Sequence, residues 1–515
     1  MLATLVLLGA ALAVIVYVLQ PKQTQLPKGT QLPSGPPGKP LVGNLLDIPP
    51  KHSWFRFLEW SKWYGPLYSL NLAGQKHVVI STEDIANDLL RERGNLYSSR
   101  MNLPMATELL SRNLRPLLLP YGDTWRNGRK LMHNLANVSV ATTYEPMQEE
   151  ESIRAVRDLL RAPEKYETWF ERYSAGLILR LAYSRPVVTG EEPFVRDVLA
   201  VVHTVERVAS PGAYLVDTFP ILMYLPYWLA PFKREGARLH NAEITLFRNL
   251  LDEGVKVGQA HPAPRTSARR GTRTGKLMTC RTTMWPEFTK LQQEIDKVVG
   301  ADRVPSFSDM AQLPRVRAVV KEVLRWRPVT AGGLPHMLVK DDTYEMPDGR
   351  SVFLEAGTAF HPVQWSIHRE AKLNPEPDEF RPERWLEPGW PTYREPLTKF
   401  PNLQNYSAFG FGRRICPGLN IAERSLYILV SRVAWSCEIS YQKTAAGDDI
   451  VPPSYDYVSG FNVSVTDFLS GSSFANCHQV QPKPFPFALK PRQQRAEVVE
   501  REYQKAWGGG ERNAS

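Results

Sequence analysis

Phe409-Gly410-Phe411-Gly412-Arg413-Arg414-Ile415-Cys416-Pro417-Gly418 is the stretch that decides the fold of this chain. Each residue type in it has separate work. Glycines permit tight turns that a side chain would block. Backbone N–H groups left free by such turns point at a sulfur anion and tune its charge. Arg414 stands shortly before Cys416, where it can pair with a carboxylate. Pro417-Gly418 hands the chain to a largely apolar run, Leu419 to Val430, which predicts a helix whose N-terminal dipole faces the thiolate. A loop with these properties holds one cysteine thiolate against an iron. The alternative is a buried structural cysteine beside a glycine-rich turn.

Working outward, 515 residues suffice for one large domain or two to three ordinary ones, and 43% hydrophobic residues can bury a substantial core. The net charge of +10 suits an anionic neighbour: nucleic acid, a lipid surface or an acidic protein patch. The four cysteines, Cys280, Cys416, Cys437 and Cys477, have no Cys-x-x-Cys spacing, so neither a disulfide framework nor a zinc site is indicated. A reducing compartment fits. The basic stretch 265–281 has no interleaved aromatics and so no stacking platform, which argues against nucleic acid.

Leu2 to Leu19 is an uncharged apolar run followed by Gln20-Pro21-Lys22. As a helix it spans about 27 Å, enough for a thin bilayer. A cleaved signal peptide is the competing reading, but the basic leading region and a small-residue cleavage site are missing. Lys22 and Lys28 favour a cytosolic C-terminal side. The Asn-x-Ser matches at Asn137, Asn405, Asn462 and Asn513 would then go unused. Residues 21–50, rich in proline and glycine, predict a stiff extended linker.

Pro66 to Leu72 alternates and Lys76 to Ile80 follows a glycine turn, predicting a hairpin. Asp84 to Arg93, 147–185 and 193–209 carry helical patterning. Short strands mix with long helices in the C-terminal third. The expectation is a mostly α fold with a minor β-sheet region.

The Cys416 loop resembles that of the cytochrome P450 family, haem-thiolate monooxygenases whose ligand loop reads Phe-x-x-Gly-x-Arg-x-Cys-x-Gly, here Phe409, Gly412, Arg414, Cys416 and Gly418. The resemblance implies haem (iron protoporphyrin) with Cys416 as its axial thiolate, and Phe409, Arg414 and Gly418 around it. Trp125 and Arg129 match the family's Trp-x-x-x-Arg pair, which holds a haem propionate. His336 follows where the family often places a propionate contact; a core histidine is the alternative. Glu322 and Arg325, three apart on a predicted helix, with Arg384 of Pro382-Glu383-Arg384, match a buried Glu–Arg–Arg cluster that locks the scaffold behind the haem. The aromatic, proline-broken segment 217–234 matches a loop that lies on the membrane and shapes the substrate channel, with 101–120 across from it; an ordinary core segment is the alternative. Here and around Leu96 to Arg100 the chain resembles fungal microsomal members.

The resemblance breaks twice. The family's central helix over the distal haem face, with its acid–alcohol pair, should fall between Gln259 and Trp285. His261 to Lys276 instead carries prolines and cations with no apolar periodicity, and Thr282-Thr283 has no preceding acid. A second interruption runs from Phe461 to Gln481. The resemblance covers about 30–258, 285–460 and 482–495, and no catalytic residue is assigned.

The implied protein has a transmembrane anchor (1–20), a linker (21–50), a haem-binding catalytic domain (51–495) and a polar tail (496–515). It would be a single-pass protein of the endoplasmic reticulum membrane with a cytosolic catalytic domain. It would insert one oxygen atom of O2 into an apolar small molecule, with electrons from an NADPH-dependent flavoprotein reductase. The alternative is an inactive or incomplete member impaired in oxygen activation, its two breaks being gene-model errors from retained or skipped exon sequence, or those of a natural inactive variant.

Overall fold

The computed structural model describes residues 26–260, 284–453 and 481–508, except 41, 50, 211–212, 394–396, 398–402 and 493, together with 397, 455, 457 and 458. The run Leu2–Leu19, the basic stretch with Thr282-Thr283, and nearly all of the second interruption lie outside the described residues. Among the described residues no helix is long and apolar enough to cross a membrane.

Ten helices of twelve or more residues are described: α1 Ser53–Tyr64, α2 Asp123–Ala136, α3 Glu145–Arg161, α4 Tyr166–Tyr183, α5 Pro193–Val208, α6 Pro231–Ala260, α7 Met284–Val299, α8 Pro314–Trp326, α9 Leu419–Ser436 and α10 Arg495–Trp507. Strands β1 Leu67–Leu72, β2 Gln75–Ile80, β3 His336–Met337 and β6 Ala359–Pro362 form one sheet in the order β1-β2-β6-β3. β1 and β2 are the expected hairpin, with Leu67 opposite Ile80, and β2 runs parallel to β6. The remaining strands, β4 Asp342–Glu345, β5 Ser351–Leu354, β7 Cys437–Ser440, β8 Tyr457–Val458, β9 Gln481–Pro482 and β10 Ala488–Pro491, form three small antiparallel pairs. The mostly α fold with a minor sheet is the observed one.

The larger core lies where α3, α4, α7, α8 and α9 converge, and includes Val156, Tyr173, Ile295, Val319, Ile428 and Trp435. α9 runs through it because nearly every face of that helix is buried. Its polar side chains are matched: Arg424 pairs with Glu145 at 2.8 Å, and Arg432 reaches the Pro305 carbonyl at 2.8 Å. The helical patterning over 147–185 divides at Pro163. A proline disfavours α geometry in the residue before it, and Ala162 has φ −142° and ψ 73°.

Two expectations need correction. The proline-rich part of 26–40 is largely extended and is docked on the edge of the sheet, and Leu45–Asp47 form a short 3-10 turn, so this stretch is part of the domain as well as a linker. Ser69 N–H donates to the Ser34 carbonyl at 2.7 Å and Asn44 N–H to the Asn71 carbonyl at 2.7 Å. The polar tail from 496 starts as α10, which packs on α3. Val498, Val499 and Tyr503 are buried, Arg157 lies 3.7 Å over the Tyr503 ring, and Trp507 sits under Arg154 and Arg180. Its apolar stripe is short and set among charges, so composition hid it.

The sheet and the segment behind it bury neutral histidines. His77 and His361 share one hydrogen bond at 2.8 Å, a ring N–H of one donating to the other. Burial pushes His361 down to about 4, and burial, followed by the Arg325 charge, pushes His368 down to about 3. The unfolded chain takes up these protons near pH 6.5, whereas the folded chain does so only near pH 4 and 3. Their stabilising effect is therefore complete above about pH 6.5 and is lost as the pH falls toward 4, at about 1.4 kcal/mol per unit for each group. The thermal midpoint measured against pH is expected to fall across this window, and less steeply in His361→Leu. An unchanged slope in that variant removes His361 from the account.

Candidate haem site

The Cys416 loop is held from both sides. At Gly412 φ is +53°, and a Cβ there would stand 2.1 Å from the Leu90 carbonyl oxygen, so only glycine fits. Leu90 is in position because the helix predicted over Asp84–Arg93 changes at Asp88 into a wider π-type turn, Asp88–Glu92. Phe411 is buried beneath the loop with Tyr97 and Phe360, while Phe409 is half-buried against the cluster of Leu403, Tyr406 and Leu419. Cys416 N–H donates to the Phe409 carbonyl at 2.9 Å, closing the loop. Gly418 opens α9, whose N-terminus faces the cysteine as expected.

Burial pushes the Cys416 thiol up, and the Gly418 N–H and the Arg129 charge draw it back down. Arg129 lies on α2 and donates to the Ile415 carbonyl at 2.6 Å. Arg414 donates to the carbonyls of Ser98 (2.6 Å), Pro116 (3.2 Å) and Leu119 (2.7 Å), with its guanidinium 4.5 Å over the Trp125 ring. Trp125 and Arg129, one turn apart on α2, thus address the same place. His336 is buried, and its Nδ1–H donates to the Tyr97 carbonyl at 2.8 Å. Burial and then the Arg100 charge hold it neutral, well below its ordinary range. With its proton on Nδ1, the Nε2 can donate to a carboxylate only after taking up a second proton.

Sequence reading missed Arg100. It donates to the carbonyls of Leu334 and Pro335 beside His336. The missed signal was its place at the end of the quoted stretch Leu96 to Arg100. Burial lowers Arg100 to about 10, and burial with the charges of Arg100 and Arg129 lowers Arg414 to about 8. Burial also lowers Arg129. Among the described residues, none of these three guanidinium groups meets a carboxylate. Carbonyls accept their hydrogen bonds but leave their charge uncompensated. A buried, uncompensated cation is costly. A cluster of three beside a thiol therefore fits a dianionic group whose metal takes the sulfur, as haem with its propionates does.

Glu322, Arg325 and Arg384 come together behind the loop, almost free of solvent. Arg325 donates to both Glu322 oxygens at 2.9 and 2.7 Å, Arg384 Nε donates at 3.1 Å, and Trp385 Nε1 at 2.9 Å. Arg325 also donates to the carbonyls of His368 and Pro377 at 3.1 and 2.7 Å. His368 in turn shares a 3.0 Å hydrogen bond with Ser407, two residues before Phe409. The cluster is thereby wired to the cysteine loop.

The segments expected to frame the channel differ from each other. In 217–234 part of the apolar side chains stand outward, with Ile221 73%, Tyr224 88% and Trp228 71% exposed, while Leu222, Met223 and Phe232 pack against the core of Met105, Val205 and Val208. Across from it, Met105, Ala106 and Leu110 do not stand open. They are buried against Val205, Val208, Ala209 and Val216.

A helical scaffold with one cysteine on a glycine-tight loop, anion-seeking arginines above it and a Glu–Arg–Arg lock behind it defines a haem-thiolate protein. The cytochrome P450 family profile matches residues 33–249 and 287–458. It stops and resumes around the first expected break and ends before the second. Relatives include cytochrome P450 monooxygenase 58 of Postia placenta, 32% identical over 82% of this chain and 85% of that protein. Cytochrome P450 monooxygenase drtD of Aspergillus calidoustus is 34% identical, over 86% and 84%. Cytochrome P450 monooxygenase virE of Hypocrea virens is 31% identical, over 92% and 88%. The chain belongs to the cytochrome P450 family, and is an oxidoreductase with haem-thiolate iron protoporphyrin as its cofactor.

Arg414→Leu removes a half-buried cation beside the cysteine loop and is expected to weaken haem retention about tenfold or more, read as the haem-to-protein absorbance ratio after gel filtration. Arg413→Ala, at an exposed position beside Tyr121, is expected to keep the wild-type ratio. Equal ratios in the two variants remove Arg414 from the cofactor site.

Proposed function

We propose that this chain is a membrane-anchored monooxygenase of the endoplasmic reticulum, transferring one atom of O2 to an apolar small molecule and the other to water. The observation that carries this reading is the Cys416 loop with its three uncompensated arginines. Haem, when bound, supplies the oxygen chemistry at its iron. The chain's own residues hold and tune it. Cys416 provides the sulfur ligand, and the Gly418 N–H and Arg129 stabilise the negative charge on that sulfur. Arg100, Arg129 and Arg414, with His336 beside them, provide the anion-binding edge. Phe409 screens the sulfur from water on the outer side of the loop. No residue is assigned to proton delivery, because the stretch where an acid–alcohol pair would fall lies outside the described residues.

Electrons come, in this proposal, from an NADPH-dependent flavoprotein reductase docking on the basic face around the Cys416 loop, where Arg126, Lys130 and Arg413 are exposed. The partly exposed apolar segment 217–234 and the run Leu2–Leu19 support contact with a membrane, the catalytic domain lying in the cytosol. An inactive member is the less favoured reading, since the relatives named above are all monooxygenases by name.

Cys416→Ala is expected to abolish the far-red-shifted Soret band of the reduced carbon-monoxide complex. Cys437→Ala is expected to preserve it, because Cys437 is buried on β7 with Ser436 Oγ as its partner. An intact shifted band in Cys416→Ala refutes the ligand assignment.

Deleting residues 1–25 is expected to convert carbonate-resistant membrane protein into protein that carbonate extracts, leaving only peripheral attachment through 217–234. Persistent resistance places the anchor elsewhere in the chain.

A further inference from the structure

Gln364 is a buried amide that neither the arginine edge nor the Glu322 cluster accounts for. It opens a short helical turn, Gln364–Ile367, directly after β6. Only 4% of it is exposed, and its amide reaches two other segments of the chain. Nε2 donates to the carbonyls of Ser407 at 2.9 Å and Ala408 at 3.3 Å, at the root of the cysteine loop. Oε1 accepts the Thr330 hydroxyl at 2.9 Å.

Thr330 belongs to the loop between α8 and β3, and that loop borders the cofactor cations. Arg100 donates to its Leu334 and Pro335 carbonyls, and His336 follows directly. The loop is seated against the Gln364 turn, where Trp365 N–H donates to the Ala331 carbonyl at 2.9 Å. At Gly333 φ is +70°, and a Cβ there would overlap the Pro362 carbonyl oxygen. On the other side, the Ser407–Phe409 turn leads into the loop that Cys416 N–H closes on the Phe409 carbonyl. Gln364 thus bonds at once to the loop beside the anion-binding edge and to the loop that carries the sulfur.

Neither loop needs Gln364 for its own closure. Gly410 N–H already donates to the Ser407 carbonyl at 2.9 Å, and Gly333 N–H to the Thr330 carbonyl at 2.8 Å. A leucine of similar size would fill the space without the cost of burying an amide. What the amide adds is a fixed spacing between two loops distant in sequence. A cofactor gripped both through its carboxylates and through its metal requires that spacing. An error in it lets one grip form without the other.

We propose that Gln364 is a positioning residue for haem ligation, coupling the loop 330–335 to the cysteine loop so that the arginine edge and Cys416 engage one cofactor together. The inference rests on Cys416 being the sulfur ligand, as proposed above.

The test uses full-length holoenzyme as wild type, Gln364→Leu, Thr330→Val and the double variant. Two quantities are read: haem per protein, and the ratio of far-red-shifted to unshifted Soret band in the reduced carbon-monoxide complex. Gln364→Leu is expected to keep its haem through the arginines while the band ratio falls about tenfold, the worth of one to two hydrogen bonds. Thr330→Val spares the bonds to Ser407 and Ala408 and is expected to lower the ratio by about threefold. The double variant is expected to fall no further than Gln364→Leu, since both changes cut one connection. A wild-type band ratio in either single variant, whatever its haem content, overturns the proposal, because a merely structural role would lower haem content and leave the ratio alone. Additive losses in the double variant overturn it too. If Gln364→Leu does not fold, the ratio in Thr330→Val decides by the same criterion. A wild type without the shifted band refutes the ligand assignment instead.

Discussion

The position of Cys416 depends on one buried negative charge, that of Glu322. Two guanidinium groups, an indole N–H and the Arg381 backbone N–H converge on its two oxygens, all with almost no solvent. Such a charge is tolerated only while every partner stays in place, and losing one partner typically costs about 3–5 kcal/mol. The cluster therefore permits only one arrangement of α8 against the segment 368–385. That segment sets His368, and His368 holds Ser407 at the root of the cysteine loop. Tyr406, stacked on His368 and bonded through its hydroxyl to the Lys321 carbonyl, ties the same root back to α8. The lock does no chemistry. It makes the cysteine's address reproducible.

The site on the other face of the loop is built on the opposite imbalance. Arg100, Arg129 and Arg414 bring positive charge into a half-buried place and, among the described residues, leave it uncompensated by a carboxylate. Burial lowers all three from the ordinary arginine range, the direction expected of cations without a counter-charge. A cofactor with two carboxylates and a metal for the thiolate removes the penalty, so binding energy for haem is stored in the fold. The same logic explains why Arg414 spends its hydrogen bonds on carbonyls, which position the guanidinium without cancelling its charge.

Much of this was legible beforehand because it is local. The hairpin of β1 and β2 follows from alternation around a turn, and α9 from a long apolar run. The loop from Phe409 to Gly418 can be read because a glycine forced by a carbonyl 2.1 Å away leaves its mark at a fixed spacing. What was missed depends on partners distant in sequence. Arg100 looks like any arginine until Leu334, Pro335 and Arg414 surround it. The helix at Arg495–Trp507 looks like a polar tail until Arg157 and Arg154 meet its aromatic side chains. Met105 and Leu110 look like channel wall until α5 and the 215–218 turn cover them.

The sequence by itself determined which sulfur is the ligand candidate, the family and the mostly helical class, since these rest on short motifs whose backbone requirements tolerate few residues. It also marked where family-like sequence is interrupted. Only the tertiary structure decided which charges are compensated and which are not. Compensation is a property of distances between segments, as between Arg414 and Ser98 or between Glu322 and Arg384. Burial sets what each distance is worth, and neither can be read along the chain.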